Sequence, residues 1–108
     1  MSKYVQVVIT TGTSEVAEKI ANSVLEQQLA ACVRISSCLS MYRWQGKIER
    51  AEEFVCVMKS RADLYPELEQ AIRSVHTYEV PEILATEIKT GSSEYLGWLD
   101  QELRSTKE

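Results

Sequence analysis

One stretch, Leu39–Met58, constrains what this 108-residue chain can fold into more than any other. Two runs rich in strand-forming residues flank Gln45-Gly46. Gly46 can take the positive φ that a tight hairpin turn demands. The arms, Cys32–Trp44 and Lys47–Lys59, would each reach on the order of 40 Å at about 3.3 Å per residue. A compact domain of this length is roughly 27 Å across. An unbent hairpin therefore overhangs its own body. A partly apolar ribbon tip is an edge hazard unless something covers it, and the expected cover is a second copy of the same chain. Tyr42 and Trp44 alternate onto one face near the tip, and Ile48 is the remaining apolar tip residue. These three are the candidate interface residues.

The turn length sets the register, and two registers stay open. A two-residue turn at Gln45-Gly46 places Val33 opposite Met58 and Ile35 opposite Cys56. A three-residue loop with a bulge places Val33 opposite Val57 and Ile35 opposite Val55. Both bury the base of the ribbon, and a one-residue slip exchanges its faces.

The rest of the chain reads as a small body, expected as one domain over 1–108. Val5, Val7 and Ile9 alternate with Gln6 and Thr10, which predicts a half-covered strand over Tyr4–Thr10. Thr13 or Ser14 caps a helix whose apolar stripe is Val16, Ile20 and Val24, running through about Leu29. After the hairpin, Asp63 is the expected cap of a second helix, with Leu64, Leu68, Ile72 and Val75 as its stripe and Pro66 in its first turn. His76–Pro81 is a connector, and Glu82–Lys89 reads as a fourth strand. Ser92 or Ser93 caps a third helix along Leu96, Leu99 and Leu103. The charged tail Arg104–Glu108 is expected to fray. The order β-α-β-β-α-β plus a C-terminal helix predicts an α+β, ferredoxin-like antiparallel sheet with two helices on one face. Its other face needs the third helix, another protomer, or both.

Hydrophobic residues make up 44% and charged residues 26%, the balance of an ordinary globular chain. A net charge of −4 offers no basic stripe for a phosphate backbone, so no nucleic acid partner is expected. Mild acidity is compatible with cation binding. No run approaches the roughly 20 apolar residues of a membrane span. The opening Met-Ser-Lys-Tyr lacks a signal-peptide core, which points to a cytoplasmic protein with no membrane partner. Cys32, Cys38 and Cys56 are odd in number and form no C-x-x-C pair, which fits reduced thiols. Cys32 and Cys38 share a strand face but stand roughly 20 Å apart, too far to chelate one ion.

Two polar constellations could carry chemistry. His76, Glu79 and Glu82 offer one imidazole and two carboxylates, a set suited to Zn or Cu(II) if neighbouring protomers help complete it. The alternative leaves His76 bonding the last helix carbonyls and the glutamates pairing with nearby cations. The second constellation is Thr11-Gly12-Thr13 at a strand-to-helix turn, where an anion can sit, with Lys59 as a further cationic candidate. Ordinary helix capping is the preferred reading of that turn. A single histidine without a nucleophile elbow gives no support to a hydrolase.

One linked pattern spans about Val5 to Leu103: Ala30-Ala31-Cys32-Val33, Tyr42-x-Trp44-x-Gly46-Lys47-Ile48, Glu53, Lys59, His76-x-Tyr78-Glu79-Val80-Pro81-Glu82-Ile83 and Tyr95-Leu96-x-Trp98. In this order and spacing the chain resembles the CutA family of divalent-cation tolerance proteins. The resemblance implies a ferredoxin-like protomer similar to PII signal proteins, packed as a homotrimer through long strands. It implies a role in divalent metal, notably copper, tolerance or binding, and no catalytic reaction. Some members carry a cysteine where this chain has Thr10, and a histidine pair where it has Val75-His76, so the copper ligands of those members are not all present. Two alternatives remain: a PII-like regulator binding a small anionic metabolite between subunits, and a purely structural anchoring trimer.

Overall fold

Gln45 and Gly46 adopt φ angles of 51° and 80° and close a two-residue hairpin turn. Two positive φ values in succession give the twist that matches right-handed strands. The turn pairs Trp44 with Lys47, Ile35 with Cys56 and Val33 with Met58. Of the two registers the sequence allowed, the two-residue one is therefore realised. The computed structural model describes residues 3–106.

The elements run β1 (Tyr4–Thr11), α1 (Ser14–Glu26), β2 (Cys32–Trp44), β3 (Lys47–Arg61), one 3-10 turn (Ala62–Leu64), α2 (Tyr65–Val75), β4 (Ile83–Glu87) and α3 (Ser93–Glu102). The four strands form one sheet in the order β2-β3-β1-β4, with every neighbouring pair antiparallel. This is the expected α+β arrangement. The molecule measures 45 × 26 × 20 Å, and the outer half of the hairpin accounts for the elongation expected of an overhanging ribbon.

Alternation in β1 decides the faces. Val5, Val7, Ile9 and Thr11 are buried, and in register they meet Met58 and Cys56 of β3. On that face lie Ala17, Ile20 and Val24 of α1 and Leu68 and Ile72 of α2. Each fully buried Ile or Leu stabilises the fold by about 1.5–3 kcal/mol. Ser60 is also buried, and its hydroxyl donates to the Leu29 carbonyl at 2.6 Å, tying β3 to the turn after α1.

The opposite face is covered only at its base. There α3 approaches β3 through Arg61, whose Nη1 donates to Asp100 at 3.2 Å, while the Cys32 thiol lies 3.6 Å from the Tyr95 hydroxyl. Toward the tip neither face is covered: Leu39, Met41 and Ile48 on the helix-bearing face and Trp44 on the opposite one are each more than half exposed.

Several boundaries differ from the sequence expectations, each for a local reason. α1 stops at Glu26 rather than Leu29, because Gln28 turns left-handed at φ 56°. β3 continues past Lys59 to Arg61, because β1 pairs with it as far as Tyr4↔Arg61. Asp63 does not cap α2; it accepts from Arg61 Nε at 2.9 Å, and that charge and hydrogen bond hold its carboxyl below the ordinary range despite some burial. β4 is shorter than Glu82–Lys89. Thr13 and Ser92 are the side chains that cap α1 and α3. Arg104 does not fray: its N–H donates to Gln28, its guanidinium reaches Glu67 at 2.6 Å, and its carbonyl accepts from Arg61 at 2.7 Å. The last two positions of that expected fray lie outside the described residues. No helix among the described residues is long and apolar enough to cross a membrane.

Candidate functional site

The register of the hairpin builds the site. Tyr42 pairs with Glu49 and Cys38 with Glu53, so Tyr42, Trp44, Glu49 and Glu53 all project from the open face of the sheet. The connector between α2 and β4 folds over toward them. Tyr78 is its anchor, donating its phenol proton to Glu53 Oε2 at 2.6 Å. The connector's Glu79, Val80 and Glu82 complete the rim of a cleft of about 660 Å³, floored in part by Thr10. Among the described residues no lysine or arginine lines this cleft.

His76 fixes the connector's path. Its Nδ1 accepts the Tyr78 backbone N–H at 3.1 Å, so the neutral ring carries its proton on Nε2. Nε2 then donates to the Thr10 carbonyl at 2.7 Å. The rings of His76 and Tyr78 stand 4.8 Å apart. Both nitrogens are thus committed to backbone partners, and a metal at either would have to displace one. Among the described residues no group of three or more His, Cys, Asp or Glu side chains is arranged to hold a metal ion. His76, Glu79 and Glu82 therefore do not close as one chelating set within the protomer. Only the two glutamates face the cleft.

The electrostatics sharpen the picture. Glu53 is only 8% exposed, and no cation pairs with it among the described residues. Burial, the hydrogen bond to Glu53 and that residue's negative charge push the Tyr78 phenol up to about 12. It stays a donor at any physiological pH. Gly12 lies directly beneath this contact, where an added Cβ would come within 3.2 Å of the Tyr78 hydroxyl.

The candidate anion residues are not gathered. The Thr11 hydroxyl is buried and donates to the Thr13 carbonyl at 2.8 Å, while the Thr13 hydroxyl accepts from Val16 N–H at 3.2 Å. Lys59 pairs with Gln6, five residues back along β1 and on the order of 16 Å from Thr11. Thr11, Gly12, Thr13 and Lys59 form no common site, and the turn works as a helix cap. Tyr42 and Trp44 share a face as expected, whereas Ile48, opposite Arg43, lies on the other side of the ribbon. All three cysteines are free, and burial pushes the Cys56 thiol up to about 11, as for an inert core residue. Glu49 was not among the sequence candidates, and Glu53 entered only as a member of the linked pattern, with no site role. Their signal was the alternation with Tyr42 and Trp44, readable only once the turn length is known.

Comparison with known proteins follows the same lines. A model of the CutA1 divalent ion tolerance protein family matches residues 5–102. The divalent-cation tolerance protein CutA of Thermus thermophilus is 43% identical over 94 residues, covering 86% of this chain and 91% of the relative. The structure of the periplasmic divalent cation tolerance protein CutA from Archaeoglobus fulgidus matches with a TM-score of 0.91 at 38% identity, over 94% of this chain and 99% of that one. The crystal structure of CutA1 from Oryza sativa matches with a TM-score of 0.93 at 33% identity, over 97% of both chains. On fold, on sequence and on the extent of the match, this chain belongs to the CutA1 divalent ion tolerance family.

Proposed function

We propose that this protein is a homotrimeric, non-catalytic member of the divalent-cation tolerance family that takes up divalent metal at the acidic cleft beside its hairpin. The observation that carries this reading is that Glu49, Glu53, Glu79 and Glu82 all line one cleft, with no lysine or arginine among the described residues of its wall, although no three of them are gathered into one ligand set. Glu79 and Glu82, exposed on the rim, are the proposed ligands. Two carboxylates and water suffice for a hard divalent ion, and a neighbouring protomer can supply more. His76 holds the connector rather than the metal. Copper or zinc would suit the site best if His76 were released from Thr10.

The trimer rests on the hairpin. Leu39, Met41 and Ile48 on one face of its outer half, and Tyr42 and Trp44 on the other, leave an apolar ribbon that a single protomer does not cover. Three free thiols support a reducing compartment such as the cytoplasm. A PII-like regulator binding an anionic metabolite is the weaker reading, because the cleft wall is acidic and the anion candidates lie apart.

Equilibrium dialysis against Zn(II) and Cu(II) tests the proposal. Saturable uptake should fall at least about tenfold, the scale of one or two lost charge contacts, in the Glu79→Gln/Glu82→Gln double variant. Undiminished uptake in that variant would move the ligands elsewhere, and no uptake by the wild type would leave the regulator or the scaffold.

A further inference from the structure

One face of the sheet carries opposite charge at its two ends. The odd-numbered residues of β3 project from that face, on the side away from α1 and α2. Toward the tip these are Glu49 and Glu53, with Glu79 and Glu82 of the connector beside them. Toward the base they are Lys59 and Arg61, with Arg34 of β2 diagonally across from Lys59. Arg61 is matched by Asp63 and Asp100, whereas no carboxylate pairs with Lys59 or Arg34 among the described residues.

Two of these charges are costly as they stand in one protomer. Glu53 is more than nine-tenths buried, one of its oxygens accepts the Tyr78 proton, and no cation neutralises it among the described residues. Its other oxygen makes no hydrogen bond. No fully buried side-chain oxygen or nitrogen among the described residues lacks a partner, so that oxygen opens on the cleft. Lys59 is half-buried, and its neighbours across the strands are Cys32 and Gln6, neither of them anionic. A charge taken from water destabilises a fold until a counter-ion reaches it. The two do not meet within one chain, because six residues of strand hold them about 20 Å apart.

We propose that subunits of this protein pack head to tail, with Lys59 of the partner subunit entering the cleft and pairing with Glu53. A face with unlike ends is complementary to a displaced copy of itself, and a three-fold ring is built from such heterologous contacts. The inference rests on the trimer proposed above and gives it a direction, the acidic end of each subunit on the basic end of the next. The copy that covers Tyr42 and Trp44, which line the same cleft, then delivers the missing cation. A lysine suits the task, since its apolar stem and ammonium both pack well against aromatic faces. It offsets one carboxylate of the cleft and leaves Glu79 and Glu82 on the rim.

Sedimentation velocity over a dilution series, in urea low enough to keep the wild type folded, reads assembly apart from metal uptake. Glu53→Gln keeps an acceptor for Tyr78 and removes the charge, and it should weaken self-association at least about tenfold, the scale of one charged contact. Lys59→Gln should weaken it as much. The double neutral variant should do no worse than either single one, because the first change has already broken the pair. Exchanging the charges, Glu53→Lys/Lys59→Glu, should recover the assembly lost in Lys59→Glu alone. With about 20 Å between the two positions in one chain, that recovery reports a contact between chains. Should circular dichroism show that the exchanged chain does not fold, the three neutral variants decide. An undiminished trimer in both single variants, or losses that add in the double, would overturn the pairing while the trimer stands. A wild-type monomer would overturn the trimer and this inference together.

Discussion

Replacing Tyr78 by phenylalanine removes a single oxygen, the one that holds the connector to the hairpin. The hydrogen bond it makes to Glu53 is 2.6 Å long and its acceptor is buried. A hydrogen bond to a charged group contributes about 1.5–3 kcal/mol. Tyr78 is 37% exposed, so water replaces part of the loss, and about 1–2 kcal/mol is the expected destabilisation. The pH profile provides a second reading of the same contact. The folded state holds the phenol proton up to about 12, against an ordinary value of 10.0. Between those limits the native state binds more protons than the unfolded chain, so stability is complete below pH 10 and falls toward pH 12. At 1.36 kcal/mol per pKa unit the ceiling is roughly 2.7 kcal/mol. Solvent screening of a partly exposed group reduces this to about 1 kcal/mol. Urea unfolding at fixed protein concentration, at pH 7 and across pH 9.5–12, reads both quantities. The Tyr78→Phe chain should be less stable at pH 7 and should lose less on going alkaline. A variant matching the wild type at pH 7 and falling in parallel with it would refute the Tyr78–Glu53 contact as drawn.

Other substitutions follow from the same geometry. Arg61→Met should cost about 3 kcal/mol in urea unfolding, because Asp63, Asp100 and the Arg104 carbonyl all lose a nearly buried partner. Arg61→Lys should not restore it, since one ammonium does not reproduce three diverging donors. Gly46→Ala should cost about 1 kcal/mol through the backbone alone, because its φ is 80° and nothing lies within 4 Å of the added methyl. Replacing both Tyr42 and Trp44 by alanine should weaken self-association in sedimentation experiments, and an undiminished trimer would show that the interface lies elsewhere.

What the sequence revealed and what it hid divide along physical lines. Local signals held: the Val5-Val7-Ile9 alternation, the Val16-Ile20-Val24 stripe and the glycine at the hairpin tip all act within a few residues. The sheet order follows from them through the handedness of the crossovers. The site was less legible. His76 looked like a ligand, but its Nε2 meets a carbonyl 66 positions earlier, a partner that no local pattern announces. Asp63 looked like a cap, yet Arg61 claims it. Glu53 could not be placed while the register was open, because one residue of slip would have sent it to the opposite face. The tail seemed bound to fray on composition, but Arg104 finds Glu67 and Gln28 across the fold. For His76 and Arg104 a long-range partner overrode a local tendency, whereas Asp63 was claimed by a side chain two residues away.

Native mass spectrometry of the purified chain, with Zn(II) or Cu(II) titrated in, bears most directly on the proposed function. It reports the number of subunits and the bound mass together. The account predicts a trimer that takes up one ion per subunit and loses that uptake in the Glu79→Gln/Glu82→Gln variant. A monomer, or a trimer that takes up no stoichiometric metal, would contradict it.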